Sequence, residues 1–187
     1  MARRRASSRR KRINPHFWVF CEGETEEAYV AFLRSIYRIP IEIVSKVVGS
    51  HISSRFIRQF KQGKPTHEKD KDFLMYDADV PAVLEKLQSI KSARLIASSP
   101  SIELWFLLHY KYQRAAISTQ SCIQELNKRN KNSYKKGTID PKLASKLSDN
   151  CNPACDRAKG LTLFDNPSSN MHIFIEELKQ AKENMGK

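Results

Sequence analysis

The stretch FWVFCEGETEEAYVAFL, residues 17–33, decides the fold class. Its first residues are aromatic and β-branched, which predicts a short buried strand over residues 16–21. A helix is predicted to follow through the segment EEAYVAFLRSIY, with the hydroxyl of Thr25 able to cap its N-terminus. The apolar strand therefore ends in a group of acids, which consists of Glu22, Glu24, Glu26 and Glu27.

Strands and helices alternate along the first part of the chain. Further strands are predicted over 41–48, at the start of 72–80 and over 93–99, and helices near 54–62, over 81–90 and from about Pro100 to residue 112. This alternation is typical of a parallel sheet covered by helices. After residue 112 only helices are predicted, at 119–130, 141–150, 153–161 and 170–183.

The predicted fold class is therefore α/β, with a Rossmann-like parallel sheet of about four strands and flanking helices. We divide the chain into a disordered basic arm at 1–14, an α/β core at 15–112 and a helical C-terminal extension at 113–187. The extension is expected to pack on the core.

Positive charge is concentrated at the N-terminus. Lys and Arg number 33 against 20 Asp and Glu, so the formal net charge is +13. About half of this excess comes from the arm, whose cations are Arg3, Arg4, Arg5, Arg9, Arg10, Lys11 and Arg12. Such an arm is typical of contacts with nucleic-acid phosphates, although a solubilising tail has the same composition. Since the remainder is also basic, we favour nucleic acid as the partner.

The composition also bounds the cellular setting. No run of apolar residues approaches the length of a membrane span, and the N-terminus lacks the apolar region of a signal peptide. We therefore expect a cytoplasmic protein without membrane contact, in which Cys21, Cys122, Cys151 and Cys155 are reduced thiols. Cys151 and Cys155 can share one helix face. Because no second pair of Cys or His lies nearby, no structural zinc site is predicted.

Carboxylates follow several of the predicted strands. Ligands of parallel α/β sheets bind outside the carboxyl ends of the strands, where Glu22 and the D-x-D pair Asp77 and Asp79 are placed. Glu26 lies at the start of the first helix, and Glu103 follows the fourth strand. Such acids repel one another unless a cation neutralises them, and their hard oxygens suit Mg²⁺ or Mn²⁺. Taken singly, the first acids are also typical of a helix start, and Asp79 of a helix cap.

The motifs VFCEGETEE, YDAD, ASSPSIELWFLLHY, DRAK and DNPSSNMHIFIEEL occur in an order that resembles the RloB-like family. The acids after the first and third strands are also similar to those of Toprim domains. The resemblance implies a Toprim-like sheet in which Glu22 is an acid, base or metal partner and Asp77 and Asp79 bind Mg²⁺. It further implies that Glu26 and Glu103 belong to the site. Where a D-R-D motif is usual, Ala78 stands between the two aspartates.

On this basis we expect a Mg²⁺- or Mn²⁺-dependent endonuclease that serves in bacterial phage defence by abortive infection. Arg157 and Lys159 are candidate nucleic-acid contacts, although a solvated helix face explains them equally well. A sensor protein encoded alongside is a further candidate partner. The alternative is a nucleic-acid-binding module with a degenerate or regulatory Toprim site. The sequence does not decide whether the substrate is DNA or RNA (tRNA included), or whether one or two metal ions bind. It also leaves open the cleavage specificity, the activating signal and the oligomeric state.

Overall fold

The computed structural model of the protein describes residues 15–44 and 46–185. They form a mixed α/β fold around one open sheet with the strand order β2-β1-β3-β4-β5. The strands are β1 Phe17–Cys21, β2 Ile41–Val44, β3 Lys71–Asp77, β4 Arg94–Ser99 and β5 Ser168–Ser169. The first four are parallel, as predicted, and the two-residue β5 pairs with β4 in the antiparallel direction.

Helices flank the sheet and make up most of the C-terminal part. In chain order they are α1 Glu24–Tyr37, a short 3₁₀ helix Lys46–His51, α2 Ser54–Lys61, α3 Pro81–Ser89, α4 Ile102–Leu108, α5 Thr119–Arg129, α6 Pro141–Asp149, α7 Cys151–Lys159 and α8 Met171–Met185. The helical C-terminal segment therefore follows the sequence prediction, apart from β5. The basic arm predicted at 1–14 lies outside the described residues.

The interior strand β1 is buried on both faces. Phe17 and Val19 pack on one side of the sheet with α1, α4 and the C-terminal helices. Trp18 and Phe20 pack on the other side with α2 and α3. A strand covered on both sides reads as a continuous apolar run, which is why the sequence predicted it readily.

Three element boundaries differ from the sequence prediction. The N-cap of α1 is Gly23, not Thr25, because the side chain of Glu26 accepts the Gly23 N–H at 3.1 Å. The Thr25 hydroxyl instead accepts a hydrogen bond from Gly137 N at 3.0 Å. Strand β2 ends at Val44 rather than at residue 48. Helix α4 begins at Ile102, after its N-cap Ser101, rather than near Pro100.

Strand β5 was not predicted, because its two residues carry no strand pattern. The Ser169 hydroxyl lies 2.9 Å from that of Ser98 on β4. Beside it, the side chain of Asn170 accepts the Ala97 N–H at 2.7 Å and donates to the Leu95 carbonyl at 3.0 Å. These contacts join the segment before α8 to the edge of the sheet. No helix within the described ranges is long and apolar enough to cross a membrane.

Helix α4 is enclosed on all sides. Its seven residues are all buried, and it packs against β4, α5 and α7. A helix that is apolar all round is typical of a protein interior. The IELWFLL segment therefore forms a central part of the core and carries Glu103 into it.

Leu104→Ala is expected to lower the free energy of unfolding by roughly 2–5 kcal/mol, because it leaves a cavity where the side chain is 0% exposed. Urea unfolding measures the change. Leu163→Ala is the matched control: Leu163 is 46% exposed, and its loss should cost within about 0.5 kcal/mol. Equal costs at the two positions would contradict this account of the core.

Candidate active site

Four chain segments bring carboxylates to the carboxyl edge of the sheet. Glu22 directly follows β1, Asp77 ends β3, and Glu26 and Glu103 lie in the first turns of α1 and α4. We call these four side chains the acidic cluster. Their mutual electrostatic effects show that they are near neighbours: Asp77 is acted on by the other three. The structure thus brings together four of the five acids that the sequence singled out.

Glu22 extends the hydrogen bonding between β1 and β3. Its backbone N–H donates to Met75 O at 3.1 Å, and its carboxylate Oε2 accepts the Asp77 N–H at 2.9 Å. The Glu22 carboxylate therefore takes the place of the next backbone carbonyl acceptor between β1 and β3, and this hydrogen bond fixes its position beside Asp77. Burial raises the pKa of Glu22, and the nearby Asp79 raises it further, whereas the Asp77 N–H and Lys136 act in the opposite direction.

Asp77 caps α4 from a neighbouring strand. Its Oδ1 accepts the Ile102 N–H at 3.0 Å, while Ser101, the formal N-cap, makes no side-chain cap. Despite this favourable contact, burial and the charges of Glu26, Glu22 and Glu103 raise the pKa of Asp77 to about 9. Burial and the neighbouring charges thus favour the protonated form of Asp77.

Like Asp77, Glu26 accepts a backbone hydrogen bond and still has a raised pKa. Its carboxylate accepts the Gly23 N–H, and its side chain is 5% exposed. Burial, followed by the charges of Glu103 and Glu22, raises the pKa of Glu26 to about 7. A carboxylic acid of this kind can gain or lose a proton near neutral pH, which is a property of acid–base groups in active sites.

Glu103 is the most deeply buried member of the cluster. It is 0% exposed, and each oxygen accepts a hydrogen bond: Oε2 from the Ser101 hydroxyl at 2.6 Å and Oε1 from the Tyr134 hydroxyl at 2.9 Å. The ammonium group of Lys136 lies 3.5 Å from Oε1. With both oxygens engaged, Glu103 is held in one orientation.

The loop between α5 and α6 contacts the cluster at Glu103, although no motif in the sequence placed it in the site. It supplies Tyr134 and Lys136, and Gly137 packs against α1 with a positive φ of 72°. A Cβ atom at Gly137 would come within 3.2 Å of the Glu24 side chain, so glycine suits both the conformation and the close approach. The signal in the sequence is the segment KNSYKKG, which is also typical of a solvated turn.

Asp79 differs from the other predicted ligands. It lies two residues beyond β3 and is exposed. It does not cap α3, whose N-cap is Val80. Its effect on the pKa of Glu22 places it near the cluster, at the solvent side.

Two of the predicted nucleic-acid contacts, Arg157 and Lys159, contact other residues of the protein, and the others lie outside the described residues. A guanidinium N–H of Arg157 donates to Leu108 O, so this residue links α7 to the end of α4. Lys159 forms an exposed ion pair with Glu176 at 2.7 Å. The arm cations Arg3, Arg4, Arg5, Arg9, Arg10, Lys11 and Arg12 lie outside the described residues.

The donor set of the cluster fits a hard divalent cation. Carboxylate oxygens are the preferred ligands of Mg²⁺ and Mn²⁺, and the hydrogen bonds described above engage one oxygen each of Glu22, Asp77 and Glu26. Among the described residues, no group of three or more His, Cys, Asp or Glu side chains is arranged as a ready metal cage. Mg²⁺ needs no such cage, because it commonly binds through one or two carboxylates together with waters and substrate phosphates.

The fold and cluster define an α/β protein with an acidic site at the carboxyl edge of a parallel sheet. The family model of the RloB-like protein matches residues 17–178. The chain therefore belongs to the RloB-like family, as its motifs suggested. No curated protein and no solved structure matches it.

The raised pKa of Asp77 predicts how the metal-free protein responds to pH. The folded state binds the Asp77 proton more tightly than the unfolded chain, whose pKa is about 3.9. The free energy of unfolding should therefore fall as pH rises from about 4 toward the folded value of about 9. Asp77→Asn keeps an oxygen for the Ile102 N–H but does not ionise. It should flatten this decline and be at least as stable as wild type at pH 8. Thermal melts in EDTA from pH 5 to 9 measure both effects.

The control for these melts is Asp165→Asn, which removes an exposed carboxylate outside the cluster. It should reproduce the wild-type pH dependence. If Asp77→Asn also reproduced it, Asp77 would ionise as in solvent and the crowding of the cluster would be disproved.

Proposed function

We propose that this protein is a divalent-metal-dependent nuclease that hydrolyses phosphodiester bonds in nucleic acid. The observation that carries the proposal is the convergence of Glu22, Asp77 and Glu26 at the carboxyl edge of the sheet. The hydrogen bond from Asp77 N to the Glu22 carboxylate joins the ends of two strands at this point. Like charges held together in this way are costly in the absence of a cation.

Asp77 and Glu22 would hold the metal ion, with Asp79 reaching it from the solvent side. A bound Mg²⁺ or Mn²⁺ would supply an activated water and neutralise charge on the scissile phosphate. The hydrogen bonds to Ile102 N and Asp77 N fix one oxygen of each main ligand, so the remaining oxygens are oriented before metal binds.

Two further acids have distinct roles in this proposal. Glu103 is a positioning residue, because its oxygens are engaged by Ser101 and Tyr134. Glu26 is the acid–base candidate, since the Gly23 N–H engages one of its oxygens and burial and neighbouring charges raise its pKa to about 7.

Cations on the α5–α6 loop support nucleic acid as the substrate. Lys131, Lys135 and Lys136 are exposed, and Lys136 reaches the acidic cluster through Glu103. Exposed lysines beside a metal site can bind the phosphates that flank the scissile bond. The net charge of +13 favours association with any polynucleotide.

We further propose a role in phage defence, with a sensor protein as a candidate partner. This setting is supported by the resemblance to the RloB-like family and by membership of it. It does not follow from the geometry of the cluster.

Asp77→Asn is expected to abolish metal-dependent cleavage and to leave nucleic-acid binding nearly intact, because the substitution removes a metal ligand and keeps every lysine of the α5–α6 loop. Glu26→Gln should lower the cleavage rate by roughly 10²–10⁴-fold, the usual contribution of an acid–base group. Purified protein is incubated with total RNA, plasmid and single-stranded DNA, each with Mg²⁺, Mn²⁺ or EDTA. Asp165→Asn serves as the matched acidic control and should cleave normally.

Thermal melts with and without Mn²⁺ separate the nuclease from a binding module whose acids are only structural. Metal should raise the melting temperature of wild type and of Asp165→Asn, and raise that of Asp77→Asn much less, because ligands stabilise the state that binds them. Binding without cleavage on every substrate, together with melts that metal does not shift, would refute the nuclease and leave the binding module.

Lys136→Ala is expected to weaken nucleic-acid binding and to lower the salt dependence by about one phosphate contact, a slope change of roughly 0.7–0.9. Lys91→Ala is the matched control, because Lys91 is exposed and precedes β4, at the opposite edge of the sheet. Fluorescence anisotropy at several salt concentrations measures both variants. Equal losses for the two would indicate nonspecific attraction rather than contact at the site.

A further inference from the structure

A cavity of about 420 Å³ lies between two loops of the C-terminal helical part. The first loop joins α4 to α5 and supplies Tyr112 and Arg114. The second loop follows α7 and supplies Gly160, Thr162 and Pro167. Within the described ranges, neither the acidic cluster nor the lysines of the α5–α6 loop line this space, so it is a separate concavity.

Two sets of hydrogen bonds hold the loops together. The Tyr112 hydroxyl donates to Gly160 O at 3.0 Å. Just before α5, the side chain of Asn166 accepts the Ile117 N–H at 3.0 Å and donates to Ile117 O at 2.9 Å. A Cβ atom at Gly160 would collide with the Tyr112 hydroxyl, so glycine permits the first contact. The walls of the cavity are therefore in place before a ligand binds, which lowers the cost of binding.

An arginine and a tyrosine form a stack in the cavity. The guanidinium carbon of Arg114 lies over the Tyr112 ring, 4.5 Å from its centroid, and both side chains are exposed. Guanidinium planes and tyrosine rings are groups on which proteins stack unpaired nucleic-acid bases. The positive charge of Arg114 also favours an anionic ligand. The stack therefore suits a flat ring that carries phosphate.

The rest of the lining is mixed in character. Leu161 and Pro167 provide apolar surface, and Thr162 provides a hydroxyl group. Apolar walls with a few polar groups are typical of sites for small ligands or parts of larger ones. The exposed carboxylate of Asp165 also borders the cavity, but it belongs neither to the stack nor to the hydrogen bonds between the loops.

The cavity lies at the same edge of the sheet as the acidic cluster. Ser168 pairs with Ser99, the last residue of β4, in the antiparallel direction, so Pro167 lies beyond the carboxyl end of β4. Asp77 pairs with Ser98 on the same strand. Two strand spacings, about 10 Å, therefore separate β3 from β5 at this edge. About three stacked nucleotides cover that distance, so one polynucleotide chain can contact both places.

We propose that this cavity binds an unpaired base of a single-stranded polynucleotide, with Arg114 and Tyr112 as the stacking groups. The bound base fixes the position of the chain relative to the acidic cluster. The inference rests on the proposed function for the nature of the ligand, which is nucleic acid, but it does not require cleavage.

The test measures fluorescence anisotropy of the full-length protein in EDTA with short oligothymidylate and oligouridylate, and with abasic oligonucleotides of the same length. Wild type should bind the base-containing chains more tightly than the abasic ones. Arg114→Lys keeps the charge but lacks the planar group. It should lower the affinity for base-containing chains at least fivefold and leave the abasic affinity and the salt dependence unchanged. Arg55→Lys, at an exposed arginine of α2, is the matched control and should bind as wild type does.

Gly160→Ala tests the contact between the loops. Its methyl group displaces the Tyr112 hydroxyl and should lower the affinity for base-containing chains by a similar factor. Thermal melts show whether each variant is folded, and Arg114→Lys, at an exposed position, decides the question if Gly160→Ala unfolds. The proposal is overturned if wild type binds neither kind of chain or binds both equally. It is also overturned if Arg114→Lys binds as wild type does or loses affinity for both kinds alike.

Cleavage assays separate this proposal from the nuclease itself. Because stacking holds the substrate and the transition state alike, Arg114→Lys should raise KM and leave kcat nearly unchanged. Base-dependent binding without metal-dependent cleavage of any substrate would refute the nuclease and leave the base site. Metal-dependent cleavage with the same KM in wild type and Arg114→Lys would refute the base site and leave the nuclease.

Discussion

The crowding of four carboxylates at one edge of the sheet is the constraint on which the rest of the site depends. Buried acids repel one another, and the surrounding structure offsets this with hydrogen bonds from the backbone. Asp77 N donates to Glu22, Ile102 N to Asp77 and Gly23 N to Glu26. Each of these donors stands at the end of a strand or the start of a helix. The acids therefore stabilise the same element boundaries that bring them together.

The acids of the cluster therefore stabilise the ends of strands and helices and at the same time repel one another. A purely structural carboxylate is expected to have a lowered pKa, as at Asp140, where backbone hydrogen bonds from Leu143 and Lys142 and side-chain hydrogen bonds outweigh burial. Asp77 also caps a helix, yet its pKa is raised to about 9 because burial and neighbouring charges prevail. The contrast between these two helix-capping aspartates supports the proposal that the cluster binds a cation.

The sequence predicted the elements better than their boundaries. The sequence predicted β1 and α4 correctly, because an element that is buried on all sides consists almost entirely of apolar residues. Thr25 was expected to cap α1, but the competing hydrogen bond from Gly137, more than a hundred residues away, engages its hydroxyl. Strand β5 was missed because Ser168 and Ser169 carry no β-propensity pattern, although they pair with β4 in the antiparallel direction.

The sequence by itself determined the α/β class, the family and the placement of Glu22, Asp77 and Glu103 near strand ends, because these follow from local patterns and chain order. Only the tertiary structure decided that the carboxylates of the site are crowded together while Asp79 stays exposed, and that Tyr134 and Lys136 reach Glu103. Such contacts join residues far apart in the chain, and their hydrogen bonds and charges depend on distances that no local pattern contains.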